Sequence, residues 1–154
     1  MKIFIGTDHA GFELKQKLVP FLESLGHEVV DKGALEYDAY EDYPDYMSDV
    51  SKEISRNPDS TEARGIVIGA SGQGEAMVAN KFKNVRAMVY YGENANASII
   101  KASRNDNDSN ILSLGARFIT EDEAMNAVKN WLEIPFPKEE RHVRRIAKLN
   151  NING

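Results

Sequence analysis

Residues 65–81 have the sequence GIVIGASGQGEAMVANK, and this stretch decides the fold. It begins with an apolar run typical of a buried strand, continues through a turn with glycine at positions 69, 72 and 74, and ends in a helical pattern. A strand that enters a helix through such a turn leaves main-chain N–H groups pointing in one direction, where the helix dipole adds positive charge. The stretch therefore predicts a βα unit with a site for an anion, either a bound phosphate or an oxyanion formed during a reaction.

Glu75 stands at the start of the predicted helix and is the one side chain of this turn that could move a proton. Two interpretations are open from the local pattern. Glu75 could transfer protons beside an anion site, or it could simply favour the helix N-terminus while the glycines make a tight turn.

Strand and helix patterns alternate about five times along the chain. The pattern predicts a single α/β domain over residues 1–154, with a doubly wound, mostly parallel, Rossmann-like sheet of five strands. Predicted strands cover 2–7, 27–31, 65–69, 85–91 and 111–115, and predicted helices cover 12–25, 43–57, 75–81, 95–104, 121–132 and 138–149. Pro20 is expected to kink the first helix or divide it, and Thr120 with Glu123 has the form of a capping box.

Three loops are expected to converge at the carboxyl ends of the strands, where ligands bind in such sheets. They are residues 8–11, 70–75 and the polar stretch 105–110. The irregular segment 33–43 is long for a plain connection, which favours a lid or a binding role.

Composition excludes several classes of function. The chain has 154 residues and a net charge of −5, which argues against a nucleic-acid binder. It has no cysteine, which excludes disulfides, thiolate metal sites and cysteine nucleophiles. No leader pattern and no apolar run of about 20 residues is visible, so a cytoplasmic protein that does not enter a membrane is expected.

Two further clusters could bind a ligand. Asp8 and His9 follow the first strand directly and could contact a substrate, or Asp8 could cap the next helix. Arg141 and Arg145, four residues apart, could hold a phosphate or form a solvated basic helix face. Because that helix is terminal and amphipathic, it could pack on a second subunit and complete a site built from two chains.

Five motifs in order resemble those of the ribose-5-phosphate isomerase B family, which includes galactose-6-phosphate isomerase subunits. They are Asp8-His9-Ala10-Gly11, residues 69–81, Asn107-Asp108-Ser109-Asn110, Gly115-Ala116-Arg117 and residues 141–145. The resemblance covers nearly the whole chain. It implies a homodimer, often paired into a dimer of dimers, that uses no metal or other cofactor and interconverts an aldose phosphate and a ketose phosphate through a cis-enediolate.

The resemblance also implies roles for individual residues. One branch of the family uses a cysteine base where this chain has Ala70, and the other uses a glutamate that corresponds to Glu75, which is therefore expected to be the base. The implied substrate-binding residues are Asp8, His9, Tyr43, Ala70, Ser71, Gly72, Gln73, Gly74, Asn107, Arg117, Arg141, His142 and Arg145.

Asp106 departs from the family pattern, because many members have a histidine there that is assigned to opening the sugar ring. An aspartate with an ordinary pKa of about 3.9 can act as a base at neutral pH but is a poor acid. Ring opening would then use Asp106 or His9, or the substrate would be an open-chain sugar phosphate of four carbons.

The leading hypothesis is an isomerase of ribose 5-phosphate and ribulose 5-phosphate with Glu75 and Asp106 as catalytic residues. The alternatives are an isomerase of a four-carbon or six-carbon sugar phosphate, and a non-catalytic phosphosugar-binding protein. A Rossmann-type nucleotide-binding domain is disfavoured, since the turn lacks the Gly-x-Gly-x-x-Gly spacing.

Overall fold

The computed structural model describes residues 1–37, 40, 42–92 and 98–152. Its strands are β1 (Lys2–Thr7), β2 (Glu28–Asp31), β3 (Ala63–Gly69), β4 (Ala87–Tyr90) and β5 (Ile111–Gly115). Its α-helices are α1 (Phe12–Ser24), α2 (Tyr43–Arg56), α3 (Gln73–Ala79), α4 (Ile99–Asn107), α5 (Glu121–Glu133) and α6 (Glu140–Asn150), and a short 3₁₀ turn covers His9–Gly11. Within the described residues no helix is both long enough and apolar enough to cross a membrane.

The five strands form one parallel sheet in the order β2-β1-β3-β5-β4. The register aligns Thr7 with Ile68, and Gly69 with Gly115, so the carboxyl ends of β1, β3 and β5 lie side by side at the centre of one edge. The predicted doubly wound parallel sheet is confirmed.

Apolar side chains fill both faces of the sheet. The core on one face, where α1 and α5 pack, includes Ile3, Ile5, Leu18, Leu22, Ile66, Ile68, Leu112, Leu114, Val128 and Trp131. The core on the other face, under α2 and α3, includes Phe4, Met47, Val50, Ile54, Val67, Ala79 and Ile111. All of β3 is buried, which explains its unbroken apolar run in the sequence.

The predicted ends of α1, α2 and α5 agree with the structure to within one residue, whereas α3 begins at Gln73 instead of residue 75 and ends at Ala79 instead of residue 81. Gly26 takes a left-handed conformation, with φ of 84°, just after α1, and the Thr120–Glu123 capping box has both of its hydrogen bonds. The helix α1 runs through Pro20 as one element instead of dividing there. The last helix begins at Glu140 rather than at residue 138, because Lys138 has a φ of 56° and cannot belong to a right-handed helix.

The polar stretch 105–110 was predicted as a loop, and this prediction is wrong for its first half. Asn105, Asp106 and Asn107 form the last turn of α4, which ends where Asp108 adopts a left-handed conformation with φ of 46°. The predicted start of this helix at residue 95 lies outside the described residues, which resume at position 98.

The prediction that three loops converge at one edge is also wrong in one part. Residues 8–11 and 70–75 follow β1 and β3 and lie at the carboxyl edge, as expected. Residues 105–110 precede β5, and the N–H of Gly65 donates to the carbonyl of Asn110 at the opposite, amino edge. The reason is connectivity, since the helix between two parallel strands must return the chain to the edge where strands begin.

Candidate functional site

Glu75 lies on the first turn of α3, with its carboxyl group folded back over the end of β3. The residue is only 5% exposed. A β-carbon at position 69 would lie 1.8 Å from Glu75 Oε1, so the group occupies space that only a glycine at 69 leaves open. Among the described residues, Glu75 Oε2 is buried and has no hydrogen-bond partner.

The surroundings of this carboxyl group favour its protonated form. Burial raises the pKa of Glu75, and the nearby carboxylate of Asp8 raises it further, while the main-chain N–H groups of Glu75 and Gly72 oppose the shift. A carboxyl group with a raised pKa is a better proton acceptor than an ordinary carboxylate and can also return the proton that it takes up.

The turn between β3 and α3 is held by the end of β5. Gly72, with φ of 76°, accepts a hydrogen bond at its carbonyl from Ser113 Oγ (2.6 Å). The N–H groups of Ala116 and Arg117 donate to the carbonyls of Gly69 (2.8 Å) and Ala70 (3.1 Å). These contacts fix the backbone of the turn and bring Arg117 beside Ala70.

Asp8 and His9 lie next to this turn because Thr7 joins the ends of β1 and β3. Thr7 Oγ1 lies 2.9 Å from the carbonyl oxygens of both Ile68 and Asp8, either of which can accept its single hydroxyl proton. Asp8 Oδ1 accepts from the N–H of Ala10, so the capping role that the sequence left open is observed. Asp8 Oδ2 faces His9 Nδ1 at 3.9 Å.

Tyr43, the first residue of α2, covers the same turn. Its hydroxyl oxygen lies 2.8 Å from the position that a β-carbon at Gly74 would occupy. The carboxyl edge thus brings together one group of predicted site residues, which we call the carboxyl-edge half: Asp8, His9, Tyr43, Ala70, Ser71, Gly72, Gln73, Gly74, Glu75 and Arg117.

The remaining predicted residues form a second group, the amino-edge half: Asp106, Asn107, Arg141, His142 and Arg145. His142 is 4% exposed, and its Nε2 lies 3.5 Å from Asp106 Oδ1 and 3.7 Å from Glu139 Oε2. Arg141 and Arg145 are exposed on α6, and Arg141 Nε is 3.0 Å from Glu139 Oε2.

A buried ionic cluster fixes the turn that carries Asp106 and Asn107. The Asp108 carboxylate is 3.0 Å from Arg86 Nη2 and 2.8 Å from Arg104 Nη1. Arg86 Nε also donates to the carbonyls of Asn107 and Asp108, both at 2.9 Å. Arg86 and Arg104 are not among the predicted site residues, because nothing in a sequence separates a buried arginine from an exposed one.

The two halves lie at opposite edges of the sheet and do not meet within one chain. Between Asn110 and Gly115 stands β5, whose five residues span about 13 Å. A cavity of about 690 Å³ lies at the amino edge, with Lys81, Arg86, Asn107 and Leu149 in its wall. Within the described part of the chain no cluster of acidic and histidine side chains is suited to hold a metal ion.

The buried carboxyl group predicts a pH-dependent effect on stability. The folded-state pKa of Glu75 lies above the ordinary value of 4.5, so folding favours the protonated carboxyl group. The stabilisation that results is fully present below pH 4.5 and is lost as pH rises through the folded-state pKa. The unfolding free energy of Glu75→Gln minus that of the native chain should therefore be larger at pH 8 than at pH 4.5. Urea unfolding at the two pH values measures this difference. A difference in unfolding free energy that is the same at both pH values would contradict the raised pKa.

The sequence of this chain matches a known protein family and named relatives. The family model described as Ribose/Galactose Isomerase matches residues 3–149. Ribose-5-phosphate isomerase B of Mycolicibacterium paratuberculosis is 39% identical over 95% of this chain and 87% of the relative. The protein of the same name from Escherichia coli is 35% identical over 98% of this chain and 95% of the relative.

Solved structures agree with these relatives. Ribose-5-phosphate isomerase B from Mycoplasma genitalium, crystallised with bound ribulose-5-phosphate, superposes with a TM-score of 0.89 at 35% identity, covering 97% of this chain and 93% of the other. The Clostridium thermocellum ribose-5-phosphate isomerase B superposes with a TM-score of 0.86 at 37% identity, covering 97% and 95%. On the strength of the family match, the relatives and the shared fold, this chain belongs to the ribose/galactose isomerase family.

Proposed function

We propose that this chain is a cytoplasmic aldose–ketose isomerase that interconverts ribose 5-phosphate and ribulose 5-phosphate through a cis-enediolate. The relatives that carry the name ribose-5-phosphate isomerase B, one of them with ribulose-5-phosphate bound, support this substrate. The observation that carries the proposal is the Glu75 carboxyl group, which is buried over Gly69 with a raised pKa and one oxygen without a partner in the described chain.

In this mechanism Glu75 is the proton carrier. The carboxylate removes the proton from C2 of the open-chain aldose, and electrons move to the carbonyl oxygen at C1. The proton of the C2 hydroxyl then passes to the oxygen at C1, and the enediolate takes the carbon-bound proton back at C1 to give the ketose. Ala70 cannot act as an acid or a base, which leaves Glu75 as the proton-transferring side chain of the turn.

Main-chain donors stabilise the charge that develops on the sugar oxygen. We assign this role to the N–H groups of the turn from Ser71 to Gly74, whose backbone is fixed by Ser113 and by the end of β5. One such donor that is already in place contributes about 10²–10³-fold in rate. Asp8, His9 and Tyr43, around the same turn, bind the sugar hydroxyls.

A second copy of the chain supplies the amino-edge half. Most of α6 is exposed, including Val143 and Leu149 at 46% and 49%, so this helix has an apolar stripe to cover as well as Arg141 and Arg145. In a two-fold dimer each chain can present its amino edge to the carboxyl edge of the other, which makes two composite sites. Arg141, His142, Arg145 and Asn107 of one chain would then hold the phosphate beside Glu75 of the other, together with Arg117.

Asp106 takes part in ring opening in this arrangement. Its side chain is about half exposed, and its carboxylate lies beside His142. The carboxylate can accept the proton of the C1 hydroxyl as the bond between C1 and the ring oxygen breaks, while the departing ring oxygen takes a proton from solvent. An ordinary aspartate is a poor acid, so Asp106 is poorly suited to protonate the ring oxygen. An aspartate at this position therefore also favours a second candidate substrate that needs no ring opening, an open-chain four-carbon aldose phosphate.

Replacing the proposed proton carrier tests the reaction. Glu75→Gln should lower kcat for ribose 5-phosphate by about 10² or more while KM changes little, because the amide keeps the shape of the carboxyl group but cannot move the proton. Ketose formation is measured with four-, five- and six-carbon aldose phosphates.

The matched control for this variant is Glu23→Gln, which alters an exposed carboxylate on α1 and should leave kcat unchanged. A Glu75→Gln enzyme that retained more than about a tenth of the native kcat would exclude Glu75 as the carrier.

Mixing inactive variants tests whether the site is shared between two chains. Glu75→Gln and Arg145→Ala should each be impaired alone, but their co-refolded mixture should regain about one quarter of native activity, since half of the dimers are mixed and each of these has one intact site. A mixture of Arg141→Ala with Arg145→Ala is the control, because every composite site then receives a defective α6. Equal activity in the two mixtures, or no recovery in the first, would contradict the composite site.

A further inference from the structure

Lys15 is a fully buried lysine on α1, away from the side chains proposed to carry the reaction. It is 0% exposed. Its ammonium group lies 2.7 Å from Asp31 Oδ2 and donates to the carbonyl of Ala34 at 2.5 Å. The ring of Phe12 covers it, with the nitrogen 5.5 Å from the ring centroid. Burying an ammonium group is costly unless it is paired in this way.

These contacts clamp the segment that follows β2, residues 32–37, onto the carboxyl end of β1. Asp31 Oδ1 accepts from the N–H of Gly33, and the N–H of Ala34 donates to the carbonyl of Thr7. The approach is tight, because a β-carbon on Gly33 would lie 2.5 Å from the nitrogen of Thr7. The N–H of Lys32 also donates to the carbonyl of Ile5 at 2.7 Å. Lys15 therefore holds Asp31 and Ala34, on either side of this bond to β1.

The clamped segment ends at the proposed substrate site. Tyr37 packs edge-on against the ring of His9, with the ring centroids 5.9 Å apart. The carbonyl of Thr7 accepts from the N–H of Ala34, and the hydroxyl of Thr7 lies 2.9 Å from the carbonyls of Asp8 and Ile68, either of which can accept its proton. A continuous series of contacts thus runs from the Lys15 ammonium to Asp8 and His9.

Stability alone is a weak reason for a lysine at this position. A well-packed apolar residue in place of a buried ion pair is often neutral or stabilising, and Asp31, with its side chain 31% exposed, could be solvated without its partner. What an apolar residue cannot do is hold the Asp31 carboxylate and the Ala34 carbonyl at fixed positions.

We propose that Lys15 is a positioning residue for the isomerase reaction. By tying Asp31 and Ala34 together, it holds the 32–37 segment so that Tyr37 orients His9, and Thr7 orients Asp8, for binding the sugar. The proposal deepens the proposed function and rests on it, since it assigns Asp8 and His9 to the sugar.

The test is Lys15→Met, which keeps the length and the apolar stem and removes the ammonium group. KM for ribose 5-phosphate should rise about tenfold while kcat stays within about threefold, because sugar binding is disturbed and the Glu75 carboxyl group is not. A KM that does not change, or a fall in kcat with KM unchanged, would overturn the proposal.

The matched control is Lys2→Met. Lys2 on β1 pairs with Glu28 on β2 at the amino edge of the sheet, with its ammonium group 3.1 Å from the carboxylate. Its loss should therefore leave KM unchanged. If Lys15→Met does not fold, Asp31→Asn takes its place; it keeps the side-chain shape, weakens the clamp, and should raise KM in the same direction.

A measurement without substrate separates this inference from the proposed function. The chain has three histidines, so their ring proton signals can be assigned by NMR. Lys15→Met should shift the His9 signal, because Tyr37 no longer holds its position against the ring, and Lys2→Met should not. An unmoved His9 signal would contradict the inference even if the enzyme is active. A shifted His9 signal in a chain without isomerase activity would support the positioning of His9 through Lys15 and contradict only the proposed function.

Discussion

The structure of the site depends on one steric constraint, the place that Gly69 leaves for the Glu75 carboxyl group. The carboxyl group stands where a β-carbon of residue 69 would be, so the helix α3 can start close above the end of β3 with its glutamate turned inward. Burial in that place raises the pKa of Glu75 and leaves one oxygen without a partner in the described chain. A single small residue therefore makes room for the carboxyl group in the buried position that raises its pKa.

The parallel direction of the strands determines the edge of the sheet at which each predicted site residue lies. In a parallel sheet, residues that precede a strand lie at the opposite edge from residues that follow one. Asp106 and Asn107 precede β5, whereas Glu75 and Arg117 follow β3 and β5, so one chain separates the two halves of the predicted site. The proposed dimer, which places the edges of two chains together, would resolve this separation and would give the exposed α6 a function in each composite site.

Much of the fold could be predicted from the sequence, because the relevant signals are local. The apolar run of β3, the capping box at Thr120 and the glycine after α1 each act within a few residues and are found as expected. The end of α4 was misjudged because asparagine and aspartate are common in turns, while here three such residues continue a helix until Asp108 stops it. The placement of Asp106 opposite His142 depends on long-range packing that no local pattern contains.

The site was predicted unevenly for the same reason. Glu75 and the glycines lie in one short stretch, and their neighbourhood follows from a single strand–turn–helix unit. Lys15 and Arg86 are buried ionic residues whose carboxylate partners are distant in sequence, and Arg104 is buried beside Asp108, four residues away. Only the folded chain identifies these residues as buried. Family membership is shown by the comparisons, whereas the roles of individual residues rest on the geometry and on the proposed chemistry.

The most direct test of proton transfer by Glu75 is isotope exchange during turnover. Ribose 5-phosphate deuterated at C2 is incubated with the native chain in ordinary water, and the label is followed by NMR in the ketose and in the recovered aldose. We expect part of the label to move to C1 of ribulose 5-phosphate and the rest to be lost to solvent, because one carboxyl group carries the proton and can exchange it. Complete retention of the label in the ketose would indicate direct hydride transfer, and an aldose that keeps all its label without forming ketose would indicate a binding protein; either result would contradict the account.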